Sequence, residues 1–186
     1  MTVVGACGLN PTKVESLWNS VALTTDESVV LSAVRLIDPT IEKLNLRNID
    51  DLSTKRVPFA KAKDQDRPVP LASFGDGTNR LFGIALALVN AKNGMCLIDE
   101  FENGLHYSVQ PTVWKLVFRL ASELNVQVFA TTHSYDCIRA FEEAAKESPE
   151  EGRLIGLVQM KDRLFVGEYD ENELGIAVEG QIEVRG

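Results

Sequence analysis

The 186-residue chain contains little cysteine and no long apolar run. Its three cysteines, Cys7, Cys96 and Cys137, are odd in number and widely spaced, which argues against a disulfide framework and against a CxxC-type zinc site. No apolar stretch reaches the roughly 18 residues of a membrane-spanning helix, and the N-terminus lacks the succession of segments that makes a signal peptide. We therefore expect reduced thiols, no membrane association and a cytoplasmic location.

Basic residues are also in the minority. The chain has 19 Lys and Arg against 27 Asp and Glu, a net charge of −8, so composition alone does not suggest nucleic acid as a partner. The hydrophobic fraction of 45% and the charged fraction of 25% are those of an ordinary globular protein, which argues against a disordered or fibrous chain. At this length we expect residues 1–186 to form a single domain.

A phosphate-binding P-loop, G-x-x-x-x-G-K-[ST], is also missing from the sequence. The nearest stretch, Gly5 to Lys13, lacks the second glycine before its lysine, has no Ser or Thr after it and contains Pro11. A wrap of backbone N–H groups around phosphates needs those glycines, so this stretch is not predicted to hold a nucleotide.

Hydrophobic patterns predict alternating strands and helices. Strands are predicted at Thr2–Ala6, Met95–Ile98 and Val126–Ala130, with a C-terminal hairpin of Leu154–Gln159 and Leu164–Tyr169 before a short helix and a terminal strand. Helices are predicted from Asn10 to Trp18, from Thr24 to about Ile37, at Asn79–Asn90, at Val109–Leu124 and from Tyr135 to about Lys146. Thr24 and Glu27 have capping-box spacing, and Lys61–Pro70 is expected to be an exposed loop or a hairpin edge.

The order of these elements predicts the fold class. Met95–Ile98 and Val126–Ala130 are apolar runs of the kind found in buried strands of a parallel sheet. Because helices alternate with them, we expect an α/β fold with right-handed crossovers.

A glycine-rich stretch, Ser73-Phe74-Gly75-Asp76-Gly77-Thr78, precedes the most apolar helix. Its two glycines allow the backbone to approach a ligand closely, and the helix start supplies free N–H groups at the positive end of the helix dipole. A phosphate could bind there, although an ordinary turn with a helix cap has the same pattern.

Two adjacent acids, Asp99 and Glu100, follow the apolar strand Met95–Ile98. The carboxyl ends of parallel strands form the edge at which α/β proteins bind ligands. An aspartate there can hold Mg²⁺ directly or through water, and a following glutamate can polarise an attacking water. A solvated strand end is the alternative interpretation.

One of only two histidines, His133, follows the second apolar strand within the run Val128-Phe129-Ala130-Thr131-Thr132-His133-Ser134. We expect it to lie beside Asp99 and Glu100. An imidazole there can donate a hydrogen bond to a phosphate oxygen or orient a water molecule. Taken alone, a structural histidine would give the same pattern.

Together the three motifs stand in the order and spacing of the ABC ATPase core. From about Val69 to Phe141 the chain resembles the C-terminal part of the AAA-family ATPases of the SMC/RecF/overcoming-lysogenisation-defect type. The matching segments are Ser73–Gly77, Leu97–His106 and Gln127–Ser134. This resemblance implies a P-loop NTPase fold, specifically the C-terminal half of an ABC ATPase head with a mainly parallel sheet flanked by helices and a C-terminal β-hairpin.

The resemblance implies that the glycine-rich stretch is a signature loop. Its residues Ser73, Gly75, Asp76 and Gly77 would reach the γ-phosphate of ATP bound to the partner in a head-to-tail homodimer. The segment Glu102–His106 would be the D-loop, which communicates between the two sites, and its His106 would be a further cofactor-binding residue. The sequence SFGDG stands in place of LSGGQ, and His106 stands where many relatives have aspartate, so the chain departs from the transporter pattern at both places.

The resemblance implies equally specific roles for the strand-end residues. Asp99 would serve Mg²⁺, Glu100 would be the catalytic base and His133 would be the switch histidine. ATP and Mg²⁺ are therefore the expected substrate and cofactor, and the expected activity is ATP hydrolysis.

In the resembled family the P-loop precedes these motifs, which defines the expected partners. We expect this chain to need a P-loop-containing N-terminal half and to be inactive alone, with DNA or a neighbouring effector protein as further candidates. The alternative is a non-catalytic module that dimerises or docks on a P-loop-bearing partner. The presence of Asp99, Glu100 and His133 together favours the enzyme.

Overall fold

The computed structural model describes residues 1–49, 55–148, 152–160 and 163–169. Its strands are β1 (Thr2–Val4), β2 (Ile41–Asn48), β3 (Arg56–Ala62), β4 (Val69–Pro70), β5 (Met95–Ile98), β6 (Gln127–Ala130), β7 (Leu154–Met160) and β8 (Arg163–Tyr169). Its α-helices are α1 (Pro11–Val21), α2 (Thr25–Val34), α3 (Asp76–Val89), α4 (Gln110–Leu124) and α5 (Tyr135–Lys146), with short 3₁₀ helices at Leu71–Phe74 and Tyr107–Val109. The helix and strand predicted after Tyr169 lie outside the described residues.

A three-stranded parallel sheet in the order β1-β5-β6 forms the centre of the fold. The register aligns Val4 with Ile98 and Ile98 with Ala130, so the carboxyl ends of the three strands meet at one edge. Helix α4 links β5 to β6, and α5 follows β6 and packs on α4. The predicted α/β fold with a parallel sheet flanked by helices is confirmed.

Helix α3 lies at the core of the molecule. It begins at Asp76, earlier than the predicted start at Asn79, and 11 of its 14 residues are buried. Such all-round burial requires neighbours on every side, and α3 contacts α1, α2, α4 and β1. The ring of Phe82 lies 5.8 Å from that of Trp18 on α1, and it is 2% exposed.

Helix α2 differs from its prediction at both ends. It ends at Val34, short of the predicted Ile37. At its start, Asp26 N–H donates to Thr24 Oγ1 (3.2 Å), but Glu27 accepts from Leu23 N–H (2.6 Å), so the predicted capping box is wrong. The reason is that Thr24 N–H already donates to the carbonyl of Val21 (3.0 Å).

The remaining strands are antiparallel. Strands β2, β3 and β4 form a second sheet in which the segment predicted as a hairpin edge joins β3 to β4. Strands β7 and β8 pair from Leu154 with Tyr169 to Met160 with Arg163, which confirms the predicted C-terminal hairpin.

One face of the parallel sheet is covered by helices, and the other is open in the described part of the chain. Val4, Cys96 and Ile98 lie on the covered face and are 0%, 0% and 1% exposed. Val3 and Phe129 lie on the opposite face, in one register row with the half-buried Leu97, and are 47% and 45% exposed. We call this row of three residues the open apolar row.

Strand β6 is an edge of this sheet in the described part of the chain, so the strand predicted at Val126–Ala130 is present, but the prediction that it is buried is wrong. Apart from the half-buried Val128, the residues of β6 are exposed. Its apolar residues resemble those of a buried strand, but no described part of the chain covers its outer face or pairs with its free edge.

The cysteines are unpaired, and two of them are buried. Cys7 is exposed, whereas Cys96 and Cys137 are buried. Burial raises the pKa of the Cys96 thiol to about 11 and also raises the pKa of the Cys137 thiol. Separately, no helix in the described ranges combines the length and the apolar character required to cross a bilayer.

The buried Cys96 thiol makes the free energy of unfolding depend on pH. The thiol ionises near pH 9.0 when it is free of the fold and near pH 11 within it. The folded state is therefore stabilised by the neutral thiol below pH 9, and this stabilisation of about 2 kcal/mol is lost as the pH rises toward 11. Urea denaturation across this range should show the fall in wild type and a much smaller fall in Cys96→Ala. An equal fall in both proteins would contradict this assignment, and Cys7→Ala serves as the exposed-thiol control.

Candidate active site

The carboxyl edge of the parallel sheet is closed by backbone hydrogen bonds between neighbouring strand ends. Asp99 N–H donates to Val4 O (2.9 Å), and Thr131 N–H donates to Ile98 O (2.9 Å). Phe101 N–H then donates to Thr131 O (2.9 Å). The turn after β5 and the turn after β6 are therefore held together as one unit.

Glu100 has an unusual backbone conformation that its neighbours hold in place. Its φ is +46°, in the left-handed region that residues other than glycine seldom occupy. Its N–H donates to Thr131 Oγ1 (2.9 Å), and its carbonyl accepts from Arg80 Nη2 (2.8 Å). Asn103 Nδ2 donates to the Glu100 carboxylate, which orients that side chain as well.

Asp99 is exposed at the same edge and is contacted by the same threonine. Thr131 Oγ1 donates to Asp99 Oδ1 (2.7 Å) while it accepts from Glu100 N–H. One hydroxyl therefore fixes the first acid by its side chain and the second by its backbone.

Arg80 is a buried cation beneath the two acids. It extends from α3 and is 6% exposed, and its guanidinium donates to the carbonyls of Gly5 (2.7 Å), Ala6 (3.4 Å), Asp99 (2.7 Å) and Glu100 (2.8 Å). Burial lowers the pKa of the Arg80 guanidinium, an effect that the negative charges of Asp99, Glu102 and Glu100 oppose. Arg80 thus connects α3 to the turn after β1 and to the turn after β5.

His133 lies at the same edge as an exposed residue, and its backbone is anchored by Glu102. His133 N–H donates to Glu102 Oε1 (3.1 Å). The other carboxylate oxygen, Glu102 Oε2, is buried and accepts no hydrogen bond from the described residues. Ser134 begins α5 as its N-cap, so the histidine stands directly before a helix start.

The glycine-rich stretch Ser73–Gly77 contains a glycine, Gly75, that its backbone requires. Gly75 has φ +97° and ψ 161°, a combination open to glycine alone, and no side chain caps the start of α3. Ser73, Gly75 and Asp76 are exposed. A Cβ on Gly77 would lie 3.0 Å from Gly104 O, so this loop packs directly against the Glu102–His106 segment.

His106 makes local contacts. Its Nδ1 accepts from Ser108 N–H (3.4 Å) and lies 2.9 Å from Ser108 Oγ, and its ring lies 4.3 Å from that of Tyr107. The described contacts of His106 therefore cap the 3₁₀ helix that precedes α4.

Four residues at this edge were missed by the sequence analysis: Arg80, Glu102 as an individual residue, Asn103 and Thr131. Arg80 had a signal, because it is the one charged residue of the predicted helix Asn79–Asn90, and a buried charge needs a specific reason. Thr131 lies in the same run as His133, but its partners, Asp99 and Glu100, are distant in sequence.

The oxygen ligands at this edge fit a metal that is shared with a substrate. Within the described ranges, no three His, Cys, Asp or Glu residues cluster as a metal centre of their own. Mg²⁺ is usually held by one or two carboxylates, with water and substrate phosphates completing its shell. Asp99, exposed and fixed by Thr131, has the chemistry for that arrangement.

The fold is that of the ATPase heads of SMC proteins. The chain is similar to the SMC head domain from Thermotoga maritima, with a TM-score of 0.53 and 16% identity over 89% of this chain and 52% of that one. It is also similar to a chain solved in work on ATP-driven dimerization and DNA-stimulated activation of SMC ATPases, with a TM-score of 0.55 and 13% identity over 94% and 100% of the two chains. At these identities the likeness shows the fold, an α/β fold of the P-loop NTPase type with a parallel sheet flanked by helices.

The sequence comparison identifies the family. A family model described as "AAA domain, putative AbiEii toxin, Type IV TA system" matches residues 30–137, more than half of the chain, and the chain belongs to this family. The predicted resemblance is therefore confirmed.

Curated relatives match part of the chain. The chain is 36% identical over 90 residues to an ATP/GTP phosphatase of Helicobacter pylori, which covers 47% of this chain and 24% of that protein. It is 38% identical over 81 residues to the uncharacterised protein MJECL11 of Methanocaldococcus jannaschii, which covers 44% and 71%. The chain thus matches about a quarter of the length of the Helicobacter pylori protein.

Gly75, the N-cap of α3, and Gly83, within α3, together provide a test of the loop geometry. Gly75→Ala should lower the free energy of unfolding by about 1–3 kcal/mol, because alanine at this φ and ψ is strained. Gly83→Ala, inside α3, should instead raise it by about 0.5–1 kcal/mol, because its Cβ would meet Leu9 atoms at 3.8 and 3.9 Å and helical alanine is favoured. Urea denaturation of both variants measures the two effects. A neutral Gly75→Ala would mean that the loop does not keep this conformation in solution.

Proposed function

We propose that residues 1–186 form one domain, the C-terminal half of an ABC-type ATP-hydrolysing unit that acts on ATP with Mg²⁺. The observation that carries the proposal is the convergence of Asp99, Glu100, Thr131 and His133 at one edge of a parallel sheet. Membership of the AAA family, and the phosphatase name of the Helicobacter pylori relative, support a nucleotide-hydrolysing reaction.

The two acids would divide the chemical work. Asp99 would hold Mg²⁺, which when bound would neutralise phosphate charge. Glu100 would accept a proton from the attacking water, because its carboxylate is oriented by Asn103 and its backbone is fixed. His133 would contact a phosphate oxygen or the water through its exposed imidazole.

The signature-like loop would act on a nucleotide held by another copy of the chain. No side chain caps the backbone N–H groups in the first turn of α3, which begins at the exposed Asp76, and uncapped N–H groups at a helix start suit a phosphate. Ser73, Gly75, Asp76 and Gly77 would contact it, and the packing of Gly77 on Gly104 would connect it to the D-loop, which includes His106. A head-to-tail homodimer follows, and the ATP-driven dimerization named for the SMC relative supports it.

The phosphate cradle would come from a P-loop-bearing half outside this chain. The stretch nearest to a P-loop begins with a turn closed by Gly8 N–H and Gly5 O (2.8 Å), and its Gly5 and Ala6 carbonyls point to Arg80. Parallel sheets are normally buried on both faces. We propose that the P-loop half covers the open apolar row and the free edge of β6.

The cellular location and the further partners are proposed from observations outside the site. We propose a cytoplasmic location, which the three unpaired cysteines support. DNA or a neighbouring effector protein would be a further partner, and the DNA-stimulated activation named for the SMC relative supports DNA as the first to test.

Turnover tests the proposed reaction. The chain alone should not hydrolyse ATP, and addition of the P-loop half should produce Mg²⁺-dependent hydrolysis. In that mixture Glu100→Gln should lower kcat by about 10²–10⁴-fold, whereas Glu123→Gln, an exposed change on α4, should not. Vigorous hydrolysis by the chain alone that Glu100→Gln abolishes would contradict the half-site assignment.

ATP turnover by the same mixture distinguishes the proposed enzyme from the second candidate function, a docking module without catalysis. Formation of a complex whose ATP turnover is unaffected by Glu100→Gln would favour docking. The fixed Glu100 and Asp99 geometry favours the enzyme, because a module that only docks has no use for an oriented base.

The open apolar row supplies a test of the proposed docking surface. Phe129→Asp should weaken binding of the P-loop half by tenfold or more, because burying a phenylalanine contributes about 1.5–3 kcal/mol. Leu157→Asp on β7 is the matched control, since Leu157 is 55% exposed, against 45% for Phe129, on a different sheet. Isothermal titration calorimetry measures both affinities. Equal affinity for the two variants would place the contact elsewhere.

A further inference from the structure

We propose that Arg80 is a positioning residue that holds Glu100 in its left-handed conformation by binding backbone carbonyls, without binding either acidic side chain. The proposal rests on the proposed function, because it takes Glu100 to be the base. It adds a residue outside the three sequence motifs to the machinery of the site.

The guanidinium geometry suits this task. Arg80 Nη2 donates to the carbonyls of Asp99 (2.7 Å) and Glu100 (2.8 Å), and Nη1 donates to those of Gly5 (2.7 Å) and Ala6 (3.4 Å). The planar fork of an arginine presents donors in fixed directions, which a lysine ammonium does not. Because α3 is buried along nearly its whole length, the side chain starts from a rigid position.

Glu100 needs such support because a left-handed non-glycine residue persists only when its surroundings over-determine it. The Glu100 peptide groups are held from opposite sides, since Thr131 Oγ1 accepts the N–H and Arg80 donates to the carbonyl. Removing Arg80 would leave the Glu100 carbonyl without this donor and allow the turn after β5 to relax. A small displacement of a catalytic group is sufficient to lower a rate greatly.

Arg80 binds backbone carbonyls and not carboxylates, and this has a chemical consequence. In the described residues no carboxylate lies within ion-pair distance of Arg80, although the charges of Asp99, Glu102 and Glu100 are near enough to favour its protonated form. A guanidinium bound to those carboxylates would compete with Mg²⁺ and water for their oxygens. Bound to the backbone, the guanidinium compensates their charge and does not itself occupy a carboxylate oxygen.

Arg80→Lys tests the proposal, with Arg35→Lys as a matched control. Arg35 also binds two carbonyls, those of Ile41 (2.6 Å) and Glu42 (3.1 Å), but it lies away from the acids. In the full chain, the HN–Hα coupling constant and the Cβ chemical shift of Glu100 report its φ by nuclear magnetic resonance. Arg80→Lys should remove the left-handed signature of Glu100, and Arg35→Lys should retain it. An unchanged Glu100 signature in a folded Arg80→Lys chain would overturn the proposal.

Kinetics distinguish positioning from a merely structural role. In the complex with the P-loop half, Arg80→Lys should lower kcat about a hundredfold with little change in KM for ATP. A variant that only reduces the amount of complex, with kcat per assembled site intact, would overturn the proposal. Absence of turnover in the wild-type complex would refute the proposed function, while the Glu100 signature would still decide the role of Arg80.

A second variant covers the case in which Arg80→Lys does not fold. Thr131→Val removes the hydroxyl that accepts Glu100 N–H and keeps Arg80 in place. In this variant the Arg80 guanidinium protons should remain protected from exchange with solvent, as in wild type. Rapid exchange of those protons in the wild-type chain would overturn the proposal without any variant.

Discussion

Helix α3 has apolar residues on all its sides, and the rest of the fold is arranged to keep it out of water. Helices α1, α2 and α4 and the parallel sheet surround it, and its buried polar residues Thr78 and Arg80 are close to its N-terminus. Thr78 donates to Phe74 O (3.1 Å), and Arg80 satisfies four carbonyls of the site. One rigid helix thus carries the exposed glycine loop at its start and the support of the acids less than two turns later. The packing that buries α3 in the core therefore also fixes the positions of these site residues.

The strongest sequence patterns predicted the correct elements, because the apolar residues of these elements are buried within this chain. Helix α4 repeats apolar residues at helical spacing, and β5 is a short apolar run, so both were predicted nearly to the residue. Strand β6 has the same apolar character but lies exposed, because a sequence pattern cannot tell which polypeptide will cover it. The capping box at α2 failed for a local reason, since Val21 had already taken the N–H that the motif needs.

The candidate site was predictable where strand ends determine it and unpredictable where distant residues meet. Asp99, Glu100 and His133 follow two neighbouring parallel strands, so topology alone brings them to one edge. The contacts of Arg80 with Gly5 and of Asn103 with Ala6 join residues far apart in the chain, and no local pattern reports such pairs. The comparisons establish the ATPase family, and the roles of the individual residues stay predictions.

The distribution of thiols has a practical consequence. Cys7 is exposed in the turn whose neighbouring carbonyl, that of Ala6, accepts from both Arg80 and Asn103, while Cys96 and Cys137 are buried with raised pKa values. A maleimide fluorophore would therefore react with Cys7 on the native chain, next to the groups that hold the acids. Its emission would follow movements of this turn in real time, without a cysteine having to be added or removed.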